Sequence, residues 1–502
     1  MDCTEPPEVI FRPLHTVGAK LIKTASYSPL QLFQLFFSNS LLATLLANSN
    51  AYGSMRHVDK PWKDITMKDM MSYLALVIYM GMVRLVSLSD YWRKSDLYTL
   101  PLPSGIMSGR QFYHISRSIH LSDPKTDGEN EKKKGSPAYD RLCKIKPMYN
   151  VIREASKAYF HPNQQISVDE RMVASKARSG LKQYMKSKPT RWGYKLFVLA
   201  DSLTGYTWDF FVYEGKSAAN EVTENGMSYD SVMALVNEKV LGTGYKLFVD
   251  NFYTSPTLFK DLLSKKIYAC GTIRPNRKGF PKTIVNKMPK KAPRGTIRWL
   301  RDGSLLFVEW KDTREVLVAS TFHKAFTGET VKRRVKGSDG SWSLLDIPIP
   351  AAVKDYNRYM GGVDHSDALI GYYNVLHKTK KWYRTFFYHF VDIAVVNAFI
   401  LHQDLARSKN QRPMSQKAFR ETLVSEMAGL PTKKKVPDTP PRPSCGCHSP
   451  VHITKDSTAG RRKCKVCRQN SPVMCHSCNV AFCYLPKRNC FLEYHSHNER
   501  QL

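Results

Sequence analysis

The chain has 502 residues, enough for roughly three domains at about 150 residues each. Hydrophobic residues make up 42% and charged residues 24%, a globular composition that excludes an intrinsically disordered chain. Lys and Arg number 76 against 43 Asp and Glu, a net charge of +33, which sets aside an ordinary small-molecule enzyme in favour of a polyanion binder, above all of nucleic acid.

In chain order, residues 1–27 carry no clear pattern. They begin Met1-Asp-Cys-Thr-Glu5, without the basic and apolar regions of a signal peptide, so a reducing compartment is expected. From Ser28 to Leu46 apolar residues recur at helical spacing behind a Ser cap, and further helical blocks follow over Thr66–Val86 and Ser108–Leu121. The longest apolar stretch, Tyr73–Val83, is about half a membrane span, so no membrane partner is expected. Asp123–Ser136 is polar and reads as a solvated loop, and Tyr139–Tyr159 reads as helix. The pattern then changes to strands at Gln165–Asp169, Tyr194–Asp201 and Tyr206–Tyr213. A helix over Tyr229–Val240, a strand over Tyr245–Asp250, a helix over 257–265 and a strand over Ile267–Ile273 come next. Short strands return between Gly295 and His323, and helical pattern runs with breaks from Asp355 to Met427. A basic Pro-rich linker then leads to a Cys-rich segment.

Asp169 and Asp250 each end an apolar strand, and Asp364 and Asp367 enter a helix three residues apart, on one face. Carboxylates at strand ends with more from a packed helix suit a two-magnesium site for phosphoryl transfer. An Asp after a strand commonly caps a turn, so the case rests on the set and on its basic setting. Residues 171–200 and 274–300 hold no Asp or Glu. Candidate DNA contacts there are Arg178, Lys182, Gln183, Tyr184, Lys188, Arg191, Lys195, Arg274, Arg277 and Lys278, joined downstream by Lys381 and Trp382.

Eight of the 11 cysteines fall between Cys445 and Cys490. Cys464, Cys467, Cys475, Cys478, Cys483 and Cys490, with His452 and His495, make eight ligands, the number two closed zinc sites need. Cys445 or Cys447 could replace His452, and the pairing of ligands stays open. So short a segment cannot bury a sufficient core, and metal would supply its folding energy.

An ordered set of segments resembles the piggyBac transposases and their host-domesticated derivatives. These are Ser167-Val-Asp-Glu-Arg-Met-Val173, Lys182-Gln-Tyr184, Lys188-Pro-Thr-Arg-Trp-Gly-Tyr-Lys195, Phe248-Val-Asp-Asn-Phe-Tyr-Thr-Ser255, Gly271-Thr-Ile-Arg-Pro-Asn-Arg-Lys-Gly279 and Tyr356-Asn-Arg-Tyr-Met-Gly-Gly-Val-Asp-His-Ser-Asp367, followed by the Cys/His module. The resemblance implies a multidomain α/β chain with an RNase H-like DDE/D core. On it, 1–27 is a tail and 28–163 the first part of a helical dimerisation and DNA-binding segment. The core occupies 164–273 and 351–373, split by a β-rich insertion at 274–350. The helical segment resumes at 374–430, with a linker at 431–450 and a cross-brace zinc domain at 451–497. Asp169, Asp250 and Asp364 would be the catalytic triad and hold two Mg²⁺, with Asp367 as an additional, supporting acid. The zinc module would bind transposon ends, and the reaction would be nicking, hairpin formation and joining at TTAA by a homodimer in the nucleus.

Two departures from the family pattern stand out: no long acidic tail precedes residue 28, and Lys176-Ala-Arg178 replaces Lys-Gly-Arg. The expected function is a cut-and-paste DNA transposase; the alternative is a domesticated DNA-binding or chromatin protein without transposition. A cross-brace module recruiting a protein partner to an inert core is a third reading. Pro431-Thr-Lys-Lys-Lys-Val436 would serve as a nuclear-import signal.

Overall fold

The computed structural model describes the chain except residues 1–4, 57–61, 96, 98–99, 187, 216–222, 337–339, 376, 432–448, 455–459, 477 and 499–502. The basic linker, Cys445 and Cys447 therefore lie outside the described residues. Two compact units emerge, 1–431 and 432–502.

The first unit is built on a nine-stranded sheet. Its order is Ile297–Asp302, Leu305–Lys311, Glu315–Ser320, Tyr268–Thr272, Lys246–Val249, Gln165–Ala174, Trp192–Asp201 and Lys182–Tyr184, with Thr207–Val212 also paired to Trp192–Asp201. Lys246–Val249 runs parallel to both its neighbours, and the other pairs are antiparallel. Helices cover this mixed sheet, so its central strands are buried on both faces and read as apolar runs instead of alternating ones.

Two expectations are corrected. Asp169 does not end its strand, which spans ten residues from Gln165 to Ala174. The charges of Glu170 and Arg171 suggest an end, but both are neutralised inside the fold by Lys195 and Asp367. The polar stretch after Asp123 is a helix, Pro124–Lys132. Asp123 caps it by accepting from the Lys125 amide at 2.9 Å, and Pro124 stands at its first turn. Its Asp127 is buried against His120 at 2.7 Å and Ser122 at 2.7 Å, which fixes the helix despite its polar sequence. The β-rich segment at 274–350 gives three strands to the central sheet. Thr330–Lys336 and Trp342–Pro348 pair with each other as a two-stranded sheet.

Helical elements flank the sheet in sequence. Ser28 and Thr66 each close a capping box, with Gln31 and Asp69, and such caps contribute about 1 kcal/mol each. Trp382–Ser408 is long and apolar enough to cross a membrane, yet 94% of its apolar window is buried in the protein core. Its apolar surface is already used there by packing.

Candidate active site and metal centre

Parallel register sets the centre of the site. Val168 pairs with Val249, so the next residues, Asp169 and Asp250, come side by side on one sheet face. Asp169 is 9% exposed. Its Oδ1 accepts from the Glu170 amide at 2.8 Å, and its Oδ2 faces Lys188 Nζ at 3.9 Å. Asp250 Oδ1 accepts from the Phe252 amide at 2.9 Å, the turn cap its position suggests. Burial pushes the Asp169 carboxyl up to about 7 against the pull of Lys188. Burial also raises Asp250, with the nearby Glu170 carboxylate adding to it.

The helix Gly362–Tyr372 lies over the same face. A Cβ at Gly362 would come within 2.4 Å of Ser167 Oγ, so only glycine allows this approach. Asp367 pairs with Arg171, and Asp364 is exposed on the same helix. The described residues contain two groups of three or more ligand atoms within 4.8 Å of one another, both in the second unit. Asp169 and Asp250 share a face, Asp364 is exposed on the helix over it, and the three do not form such a group.

The candidate DNA contacts fall into two kinds. Tyr184 and Trp192 are each 50% exposed with rings 4.8 Å apart, and Lys182 lies 5.0 Å over Trp192. Gln183 is half-buried, while Arg178, Arg191, Lys278 and Lys381 are exposed. Trp382 is half-buried, its ring 6.5 Å from that of Tyr194. These form basic and aromatic surface. Lys195, by contrast, is buried against Glu170 at 3.0 Å and over the rings of Phe197 and Phe252. Arg277 Nη2 donates to the Asn251 and Phe252 carbonyls at 2.6 and 2.8 Å, and Arg274 donates to Asn251 Oδ1. Two cations of the acid-free run therefore brace the Asp250 turn. Sequence reasoning missed Glu170, Arg171 and Tyr356, whose hydroxyl lies 3.3 Å from Thr272 and near both aspartates. The signal was there in charged residues set inside an apolar strand.

In the second unit Cys464, Cys467, Cys483 and Cys490 form one ligand group, and Cys475, Cys478 and His495 form the other. First and third pairs alternate with the second, which is the cross-brace order. Each Cys-x-x-Cys turn ends in a left-handed residue, Arg468 (φ 62) and Asn479 (φ 52), whose amide donates to the first cysteine's carbonyl. His495 Nδ1 donates to the Phe491 carbonyl at 2.7 Å, leaving Nε2 towards Cys478 Sγ at 3.4 Å. His452 sits on an exposed strand position outside both groups.

The family described as "Transposase IS4" matches residues 28–399. The human PiggyBac transposable element-derived protein 3 is 25% identical over 492 residues, covering 94% of this chain and 77% of that protein. The human PiggyBac transposable element-derived protein 2 is 27% identical over 390 residues, covering 76% of this chain and 62% of that protein. Among solved structures, a piggyBac transposase synaptic complex with hairpin DNA matches with a TM-score of 0.72 at 20% identity, covering 93% of this chain and 99% of that one. With the aspartate-bearing sheet and the cross-brace module both in place, the chain belongs to the Transposase IS4 family, as a member of its piggyBac type.

Proposed function

We propose that this chain is a cut-and-paste DNA transposase that nicks transposon ends, forms hairpins and integrates at TTAA. The observation that carries this reading is the pairing of Val168 with Val249, which brings the following Asp169 and Asp250 side by side beneath the helix that bears Asp364. The donors fit Mg²⁺: hard carboxylate oxygens, buried beside Glu170, with more negative charge than Lys188 offsets. Asp169, Asp250 and Asp364 would hold the ions, which when bound activate the attacking oxygen and stabilise the leaving one. The chain's own residues do the rest. Lys188 and the Glu170 amide orient Asp169, while Arg274 and Arg277 keep the Asp250 turn in place. Tyr184, Trp192 and Lys182 offer a stacking and phosphate-binding surface to duplex DNA.

The second unit fits zinc. Cys464, Cys467, Cys483 and Cys490 supply a complete soft tetrahedral set, and Cys475, Cys478 and His495 supply three ligands of another. Its role would be to bind transposon ends in a nuclear homodimer. The deciding experiment is strand cleavage of the DNA flanking the coding sequence, with and without Mg²⁺, by wild type and Asp250→Asn. Metal-dependent nicks and hairpins that vanish in the variant support the reading. Tight duplex binding without cleavage by folded wild type would leave a domesticated DNA binder.

A further inference from the structure

Arg171 follows Asp169 by two residues, on the same strand face, yet it is only 2% exposed. A buried guanidinium is strongly unfavourable unless its donors are met. Here Nε pairs with Asp367, and Nη2 donates to Ser366 Oγ at 2.8 Å and Thr207 Oγ1 at 3.3 Å, while Nη1 is buried without a hydrogen-bond partner among the described residues. The Ser366 and Thr207 hydroxyls are themselves 2.9 Å apart. One side chain thereby ties the Gly362–Tyr372 helix to two strands of the sheet.

A second fastening lies on the other side of Asp169, where Gly362 presses on Ser167. The helix is thus held at Gly362 and at Ser366–Asp367, and Asp364 lies between those points. Ser167 and Arg171 likewise bracket Asp169 on the strand. Asp364 is exposed, and its side chain makes no hydrogen bond among the described residues. The carboxylate of Asp367 is occupied by Arg171.

We propose that Arg171 is a positioning residue that sets Asp364 opposite Asp169 and Asp250, with Asp367 as its counter-ion and not a metal ligand. This rests on the two-metal reading above. Arginine is needed because its planar fork reaches oxygens on separate elements at once, which the point charge of lysine cannot do.

The test uses the full chain as wild type, Arg171→Lys, Asp367→Asn and the double variant. Hydrogen exchange is read without divalent metal, Mn²⁺ affinity by calorimetry, and folding by thermal midpoint. In folded Arg171→Lys, exchange should rise in 362–372 but not in 382–408, and Mn²⁺ affinity should fall about 10–100-fold. The double variant, which leaves a buried ammonium without its counter-ion, should have a lower thermal midpoint than Arg171→Lys but lose no further Mn²⁺ affinity. Wild-type exchange and affinity in folded Arg171→Lys would overturn the proposal. So would loss of Mn²⁺ binding in Asp367→Asn with none in Arg171→Lys, which would make Asp367 a ligand. If Asp250→Asn leaves Mn²⁺ affinity unchanged, the metal reading fails instead, and helix exchange alone decides the positioning role.

Discussion

Lys188 Nζ stands 3.9 Å from Asp169 Oδ2, so a cation from the basic run faces a buried carboxylate at the centre of the site. Its sequence setting alone puts the same residue on the DNA surface. Lys188→Ala should lower the cleavage rate about tenfold, equivalent to about 1.4 kcal/mol, while duplex affinity changes less than about twofold. Single-turnover cleavage beside fluorescence anisotropy separates the two roles. A loss of affinity that accounts for the whole rate change would return Lys188 to the DNA surface.

Asp250→Asn should reduce strand cleavage at least about 10²-fold with duplex binding retained. Its amide can still accept from Phe252, so the turn is kept and the effect is chemical. Equal cleavage in the variant would remove Asp250 from the site.

Glu170 and Lys195 form a buried pair at 3.0 Å, with side chains 7% and 11% exposed. Lys195→Ala leaves the carboxylate unpaired and should destabilise the first unit by about 3–5 kcal/mol. Replacing both residues with apolar ones of similar size should recover most of that loss. Urea unfolding followed by tryptophan fluorescence is the measurement.

Asp127 supplies a pH dependence. Burial alone would raise its carboxyl, but hydrogen bonds from His120 and Ser122 outweigh it and hold the group below its usual value. Cys143 and Lys144 are its other polar neighbours. A depressed carboxyl stabilises the fold above its unfolded pKa, and that contribution disappears as pH falls through the folded value. Asp127→Asn should therefore be less stable by about 1–3 kcal/mol near neutral pH. The gap to wild type should close below about pH 4. Thermal midpoints across about pH 3–8 would show a constant gap if Asp127 is not the cause.

Cys464→Ser should remove one zinc ion from the second unit and unfold it, leaving the first unit's thermal midpoint unchanged. Zinc content by elemental analysis, with circular dichroism, tests this. Full metal content in the variant would break the four-cysteine assignment.

Much of the chain was legible because its signals are local. Ser28 and Thr66 caps, the apolar strands before Asp169 and Asp250, and the Cys-x-x-Cys spacing each state their own structure. The helix after Asp123 was less legible, since its buried Asp127 is justified by partners from outside it, above all His120 and Ser122.

What the sequence determined by itself was the inventory: a basic chain, the acidic residues, the aromatic and basic residues, and the Cys and His residues of the last segment that could hold metal. Tertiary structure decided how they are used. Lys195, Arg274 and Arg277 look like phosphate contacts in a run of cations, yet their partners are Glu170 and the Asp250 turn. Arg171 likewise turns inward to Asp367, 196 residues away. Charge in a sequence has no direction; only the folded chain fixes which cations face solvent and which are desolvated against an acid.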